Sequence, residues 1–214
     1  MMSKPLLIGI SGGTGSGKTR FTKELISKFN DTSLICISQD SYYRDLSEIS
    51  YDERCDINFD SPDSIDFLSL FDDLENLIGL NEVDIPIYNF KRHVRMKEPN
   101  RIQPKPIIIL EGIFSLYKPE IRALMNLKIF VDTPSDIRIL RRAKRDINKR
   151  ERTIESIAQQ YIKTVRPMHE KYVEPTKSYA DIIVPNGGKN KVALDIINSQ
   201  LLPIMRDKIK NADS

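Results

Sequence analysis

The stretch Gly12-Gly13-Thr14-Gly15-Ser16-Gly17-Lys18-Thr19 follows the short apolar run Leu6–Ile10 and precedes a segment in which Phe21, Leu25 and Phe29 recur every four positions. This is the pattern G-x-x-x-x-G-K-[ST] in the strand–loop–helix setting it requires. The glycines let the backbone curl so that successive N–H groups point at phosphate oxygens, and the N-terminus of the following helix adds to the field. In that geometry Lys18 reaches the β- and γ-phosphates and the Thr19 hydroxyl ligates Mg²⁺. A flexible Gly/Ser turn is the bland alternative, and the strand and helix on either side argue against it. The chain is therefore expected to hold a nucleoside triphosphate.

Such a loop needs a parallel sheet behind it. Leu34–Ile37, Ile107–Leu110, Leu127–Val131 and Ala180–Val184 repeat the near-continuous apolar pattern of Leu6–Ile10, as strands buried on both faces do. Cys36, inside one of these runs, reads as core. Ile65, Leu68, Phe71, Leu74, Leu77 and Ile78 mark a helix, with Ser61 as its N-cap and Pro62 at its first position. Thr133-Pro134 opens another in the same way, and Pro203 argues against one unbroken C-terminal helix. Helices alternating with buried strands predict a three-layer α/β domain. Residues 41–105 break the rhythm. Val83–Phe90 alternates and contains Pro86, which makes it an edge strand or hairpin arm. An inserted lobe over the carboxyl edge of the sheet follows, and ligands bind open α/β sheets at that edge.

The 214 residues suit one well-buried domain, and 40% hydrophobic with 29% charged residues is the mixture of a globular protein. A net charge of +3 is too small to make nucleic acid or membrane the main partner. No run approaches the length of a membrane span, and Leu6–Ile10 is too short for the core of a signal peptide, so a cytoplasmic location is expected. Cys36 and Cys55 have no metal or redox spacing and read as reduced thiols.

Carboxylates emerge at the predicted strand ends. Glu111 directly follows Ile107–Leu110, where an acid can hold a metal or its water shell. Asp132 competes for that role, but Thr133 and Pro134 make it equally a helix start, so Glu111 is preferred. Asp40, in Gln39-Asp40-Ser41-Tyr42-Tyr43, is the candidate to orient an attacking hydroxyl and take its proton. A helix-capping role fits Asp40 equally well. Arg138, Arg142, Arg145, Lys149 and Arg152 follow 4-3-4-3 spacing on one helix face, with Ile137, Leu140 and Ile147 on another. A solvated face or an RNA-binding stripe would share that spacing. With no interleaved aromatics and a phosphate loop upstream, a lid that neutralises phosphate charge is the better reading. No N-K-x-D element is present, as a guanine-reading switch protein would carry.

Further blocks occur in order: Asn58-Phe59-Asp60-Ser61-Pro62, Pro86-Ile87-Tyr88-Asn89-Phe90 with His93 and Arg95, Glu111-Gly112-Ile113, Asp132-Thr133-Pro134, Arg141-Arg142 with Arg145-Asp146, Gln160-Tyr161, Val165-Arg166-Pro167-Met168, Glu174-Pro175-Thr176-Lys177 and Tyr179–Pro185. Together with the phosphate loop and the Asp40 block, they resemble the uridine kinase (uridine–cytidine kinase) family of P-loop kinases from Ile8 to about Asn198. The resemblance implies one P-loop kinase domain over 1–214 with a five-stranded parallel sheet, a β-hairpin lobe at about 41–105 that binds nucleoside, and a helical lid at about 138–170. It implies transfer of the γ-phosphate of ATP or GTP to the 5′-hydroxyl of uridine or cytidine, with Mg²⁺. Asp40 would be the catalytic base beside the metal, and Thr19 and Glu111 would complete the metal site. Lys18 and Arg145 would act on the transferring phosphate, and Arg150 and Arg152 would reach the triphosphate. Gln160, counted with the substrate-binding residues, would lie near these lid arginines; Asp60 and Arg142 would take the ribose hydroxyls, and Tyr43, Phe59, Tyr88, Phe90 and His93 would surround the base. Homo-oligomers, often tetramers, are implied as well.

The chemistry fits on its own terms: a carboxylate facing an Arg can accept from and donate to vicinal hydroxyls. A pyrimidine needs a flat aromatic slot. A sister kinase acting on a phosphosugar or pantothenate, or a non-catalytic NTP- or RNA-binding regulator, is the rival reading. Three positions depart from the family pattern: Ser61 where a His is usual, Asn89 where an Asp is frequent, and Arg150-Glu151-Arg152 where the lid usually reads Arg-Gly-Arg.

Overall fold

The computed structural model describes residues 4–27, 33–150 and 152–212, apart from the side chains at 149, 150, 211 and 212. Expectations for Phe29, Lys149, Arg150 and Glu151 as side chains fall outside that description. In chain order the elements are β1 (Leu6–Ser11), α1 (Lys18–Ile26), β2 (Leu34–Ser38), α2 (Tyr51–Cys55), α3 (Phe67–Ile78), β3 (Val83–Ile85), β4 (Tyr88–Asn89), β5 (Val94–Arg95), β6 (Asn100–Ile102) and β7 (Ile107–Glu111). There follow α4 (Pro119–Leu124), β8 (Leu127–Asp132), α5 (Ser135–Arg150), α6 (Ile154–Gln160), α7 (Arg166–Met168), β9 (Ile182–Pro185) and α8 (Lys191–Ala212). A π-helical turn, Tyr161–Val165, joins α6 to α7, and a second, His169–Val173, continues from α7.

Five parallel strands form the central sheet in the order β2-β7-β1-β8-β9. The register sets Ile10 and Ser38 on either side of Glu111, and Asp132 beside Pro185. Every acid expected at the sheet edge therefore leaves the same end of it. Side chains alternate across each strand, so each apolar run feeds two cores. Leu7, Ile108 and Leu110 pack with Leu70, Leu74, Leu77 and Ile121 of α3 and α4 on one face. Ile8, Ile10, Ile107 and Ile109 pack with Phe21 and Leu25 of α1 and Leu194, Ile197, Leu201 and Met205 of α8 on the other. The result is the three-layer α/β architecture the patterning predicts.

Between α3 and β7 lie two small antiparallel ladders, β3 with β6 and β4 with β5. Pro86 falls in the gap between β3 and β4, where no ladder needs its missing N–H.

Three expectations need correction. β2 and β9 are edge strands, neither buried on both faces: in β2 Ile35 and Ile37 point inward while Cys36 and Ser38 are exposed, and in β9 Val184 is buried while Ile183 is 47% exposed. Ser61 caps only the 3₁₀ turn Pro62–Ser64, and Ile65 is extended, bridging to Tyr43. The helix begins later, at Phe67, with Asp66 accepting from the Ser69 N–H as its cap, and Leu68 is turned outward. Pro203 does not interrupt α8, which runs on to Ala212. Leu201 and Met205 on either side of the proline are buried, and their burial outweighs the one hydrogen bond lost. Apart from these corrections, α5 is inverted relative to an ordinary amphipathic helix, as suits a basic face turned to the phosphate loop: Arg138 and Arg142 are buried, whereas Leu140 and Ile147 are 66% and 44% exposed.

Candidate active site

The inversion of α5 has its cause in what the helix packs against. Its neighbour is the phosphate loop, a polar surface. Gly15 has a φ of +78°, and a Cβ there would stand 2.3 Å from the Arg138 carbonyl oxygen. At Gly13 a Cβ would lie 2.6 Å from Arg138 Nη1 and 2.8 Å from His169 Cε1. Only glycine allows so close an approach. The Thr133 hydroxyl donates to the Ser16 carbonyl at 2.9 Å, and Arg141 Nη1 donates to the same oxygen at 3.0 Å. The loop is thus held from behind by the start of α5. Gly17, in the left-handed region, delivers the chain into α1.

Lys18 and Thr19, at the start of α1, come up beside the strand ends. Burial pushes the Lys18 ammonium below its usual pKa, opposed by the nearby carboxylates of Glu111 and Asp40. The Thr19 hydroxyl donates to Glu111 Oε1 at 2.7 Å. Asp132 is engaged elsewhere, accepting from Lys177 Nζ at 2.5 Å. Asp40 lies in the 3₁₀ turn Gln39–Tyr42 that leaves β2, and its charge is felt by both Lys18 and Tyr43. Gln39 fixes this turn by accepting from the Phe114 N–H at 2.9 Å. Among the described residues no three His, Cys, Asp or Glu side chains converge as a metal cage. A hydroxyl with one or two carboxylates and adjacent phosphate oxygens is, however, the donor set that suits Mg²⁺, which keeps several of its waters.

The aromatic residues expected around a base are gathered in one cluster. Tyr43 lies 5.4 Å from Phe59, 5.2 Å from Tyr88 and 6.5 Å from Phe90, between ring centroids. His93 stacks on Phe59 at 4.8 Å with 19° between the planes. Arg142 connects this side to the loop. Its Nη1 donates to Thr14 Oγ1 at 3.2 Å and stands 3.6 Å from Asp60 Oδ1, while its Nη2 donates to Gln160 Oε1 at 2.9 Å. Arg152 Nη1 donates to the same Gln160 oxygen at 2.5 Å. Arg145 Nε donates to Asp146 Oδ1 at 2.8 Å. Arg150 cannot be placed with these groups, because its side chain lies outside the described residues.

Sequence reasoning gave no role to several side chains that shape the site. Arg95, quoted only as part of a block, donates Nε to the Tyr43 carbonyl at 2.9 Å and Nη2 to Asp66 Oδ2 at 3.2 Å, tying the β4–β5 ladder to the Asp40 turn. Asp146 and His169 were likewise unassigned. His169 Nε2 lies 3.2 Å from Glu174 Oε2, and its ring faces Gly13. Burial, reinforced by the Arg138 charge, depresses its pKa from 6.5 to about 4, against the pull of Glu174 and Glu170. The imidazole is therefore neutral in the fold. As pH falls, the unfolded chain protonates first, so His169 contributes stability above about pH 6.5 that is lost as pH falls toward 4. The full contribution is roughly 3 kcal/mol at 1.36 kcal/mol per pH unit of difference. His169→Phe is expected to flatten the fall in urea-unfolding free energy across that window. An unchanged slope would show that the imidazole does not titrate differently on unfolding.

Among the described residues no helix is long and apolar enough to cross a membrane. Comparison with known proteins gives matches over nearly the whole chain. The model of the phosphoribulokinase / uridine kinase family matches residues 7–193. A uridine kinase of Clostridium botulinum (strain Langeland) is 49% identical over 205 residues, covering 96% of this chain and 100% of the relative. A uridine kinase of Halalkalibacterium halodurans is 46% identical over 208 residues, covering 97% and 99%. Among solved structures, phosphoribulokinase from Rhodobacter spheroides superposes with a TM-score of 0.66 at 14% identity, over 85% of this chain and 70% of that one, and so shares the fold.

Proposed function

Because the chain belongs to the phosphoribulokinase / uridine kinase family, we propose that it transfers the γ-phosphate of ATP or GTP to the 5′-hydroxyl of uridine or cytidine, giving UMP or CMP. The observation that carries this reading is the span of Arg142, whose guanidinium touches Thr14 of the phosphate loop and Asp60 beside the aromatic cluster. A nucleoside whose base enters that cluster and whose ribose meets Asp60 and Arg142 has its 5′ end directed toward the loop. A phosphosugar or pantothenate would have no use for five clustered rings.

In this mechanism Asp40 accepts the proton of the 5′-hydroxyl as the oxygen attacks phosphorus, and the nucleoside diphosphate leaves along the phosphate loop. Lys18 and Arg145 balance the charge that spreads over the transferring group, and Arg152, set by Gln160, helps to exclude water. Thr19, Glu111 and Asp40 would hold Mg²⁺ and its waters, which supply further charge neutralisation at the β- and γ-phosphates. A cytoplasmic location and assembly as a homo-oligomer, a tetramer by family resemblance, belong to the same reading.

A coupled assay with each triphosphate donor against uridine, cytidine, purine nucleosides, ribulose 5-phosphate and pantothenate tests it. Uridine and cytidine are expected to turn over, with the others at background. Turnover of a phosphosugar or pantothenate with no nucleoside activity would replace this reading with the sister one.

A further inference from the structure

Asp146 is completely buried, on the inner face of α5, in a setting otherwise dominated by arginines. Its Oδ1 accepts from Arg145 Nε at 2.8 Å, and its Oδ2 stands 3.4 Å from Arg142 Nε. Its backbone carbonyl accepts from the Arg152 N–H at 3.3 Å, at the turn where the chain leaves α5. One carboxylate thus meets the Nε edge of two guanidinium groups and, through the backbone, steadies a third arginine.

A guanidinium is a rigid fork. A hydrogen bond at Nε, such as Asp146 accepts from Arg145, fixes the direction in which the two Nη groups point. Among the described residues, Arg142 Nε is ion-paired with Asp146 without a hydrogen bond, and the Nη groups of Arg142 reach Thr14, Asp60 and Gln160. The Arg142 side chain is 7% exposed, and a cation so deeply buried needs a counter-charge at every stage of binding. If ribose hydroxyls take over the Asp60 carboxylate, that anion is turned toward the sugar. A second buried acid, contributing nothing to substrate, keeps Arg142 compensated while its partner is shared.

We propose that Asp146 is a positioning residue of the acceptor site, which aims Arg142 and Arg145 and makes the Asp60–Arg142 pair exchangeable for a ribose with vicinal hydroxyls. The proposal rests on the reading of Asp60 and Arg142 as the ribose-binding pair. It assigns Asp146 no contact with either substrate.

The test compares uridine with 2′-deoxyuridine in the full-length enzyme. Asp146→Asn keeps the shape and removes the charge. It is expected to lower kcat/KM for uridine by roughly 10- to 100-fold, the scale of a reacting group misplaced by about 1 Å. The loss for 2′-deoxyuridine should be smaller, so that the ratio of the two falls several-fold, while KM for the triphosphate stays within about twofold. Asp146→Glu retains the charge but moves the carboxylate by one methylene, and covers the case in which the Asn variant does not fold. It should fold and lower the same ratio. A merely structural role would depress both nucleosides equally and leave the ratio alone. Asp60→Asn separates the two levels of the argument. If it lowers the ratio and neither folded Asp146 variant does, the proposal is overturned while the ribose-site reading stands. If Asp60→Asn leaves the ratio at its wild-type value, that reading falls and the role of Asp146 falls with it.

Discussion

Asp40→Asn is expected to lower kcat by about 10²- to 10⁴-fold, with little change in nucleoside affinity. The side chain leaves the end of β2 in a turn fixed by Gln39, and its charge reaches both Lys18 and Tyr43. It therefore stands between the two groups that the transferring phosphate and the nucleoside would occupy. Asn preserves the size and one acceptor oxygen of Asp but loses the charge, and with it the ability to take a proton and to help hold Mg²⁺, so the defect should appear in kcat and in the Mg²⁺ requirement and not in KM for the nucleoside. Single-turnover transfer to uridine at saturating donor would read it directly. A near-normal rate would remove Asp40 from proton transfer and direct attention to Asp60.

Lys18→Ala is expected to reduce transfer by roughly 10²- to 10³-fold, the range for removing a preorganised charge from a developing anion. Its effect should exceed that of a lost contact alone. Burial pushes the ammonium's pKa down and the carboxylates of Glu111 and Asp40 oppose that push; without Lys18 those two carboxylates would face the triphosphate uncompensated. Triphosphate affinity should fall with the rate, whereas nucleoside binding measured without donor should be preserved. Donor binding and kcat both near wild type in the alanine variant would contradict the assignment of Lys18 to the phosphates.

Much of this framework is readable in the chain itself. Near-continuous apolar runs are what strands in the middle of a parallel sheet require, so β1, β7 and β8 were plain. The spacing of Gly12, Gly17, Lys18 and Thr19 fixes the phosphate loop because the backbone and not the side chains does the cradling. β2 was misread because an apolar run looks the same at the edge of a sheet as at its centre, and Cys36 is small enough to suit either. The start of α3 was misread because Ser61-Pro62 is a true capping signal, spent on a 3₁₀ turn, while Asp66 caps the helix itself. α5 defeats the rule that apolar faces turn inward because its inward neighbour is polar. His169 carries no motif: its surroundings are built by residues far along the chain, Gly13 and Arg138 on one side, with Glu174 on the other. Asp146 stands in the Arg145-Asp146 block with Arg142 four positions before it, but neither the block nor the spacing tells that the helix turns this charged face inward.

The edge position of β2 has a bearing on how this protein can be handled. A strand flanked on one side only keeps a row of backbone donors and acceptors that another chain can pair with. Here Ile35, Cys36, Ile37 and Ser38 border a cavity whose far wall is Ile85, Pro86, Ile87, Tyr88 and Phe90 of the lobe. The lobe stands guard over the open margin, and its proline cannot extend a ladder there. Trimming the lobe to make a minimal nucleotide-binding scaffold would uncover that margin together with the exposed Cys36 thiol, and such a truncation would self-associate through β2.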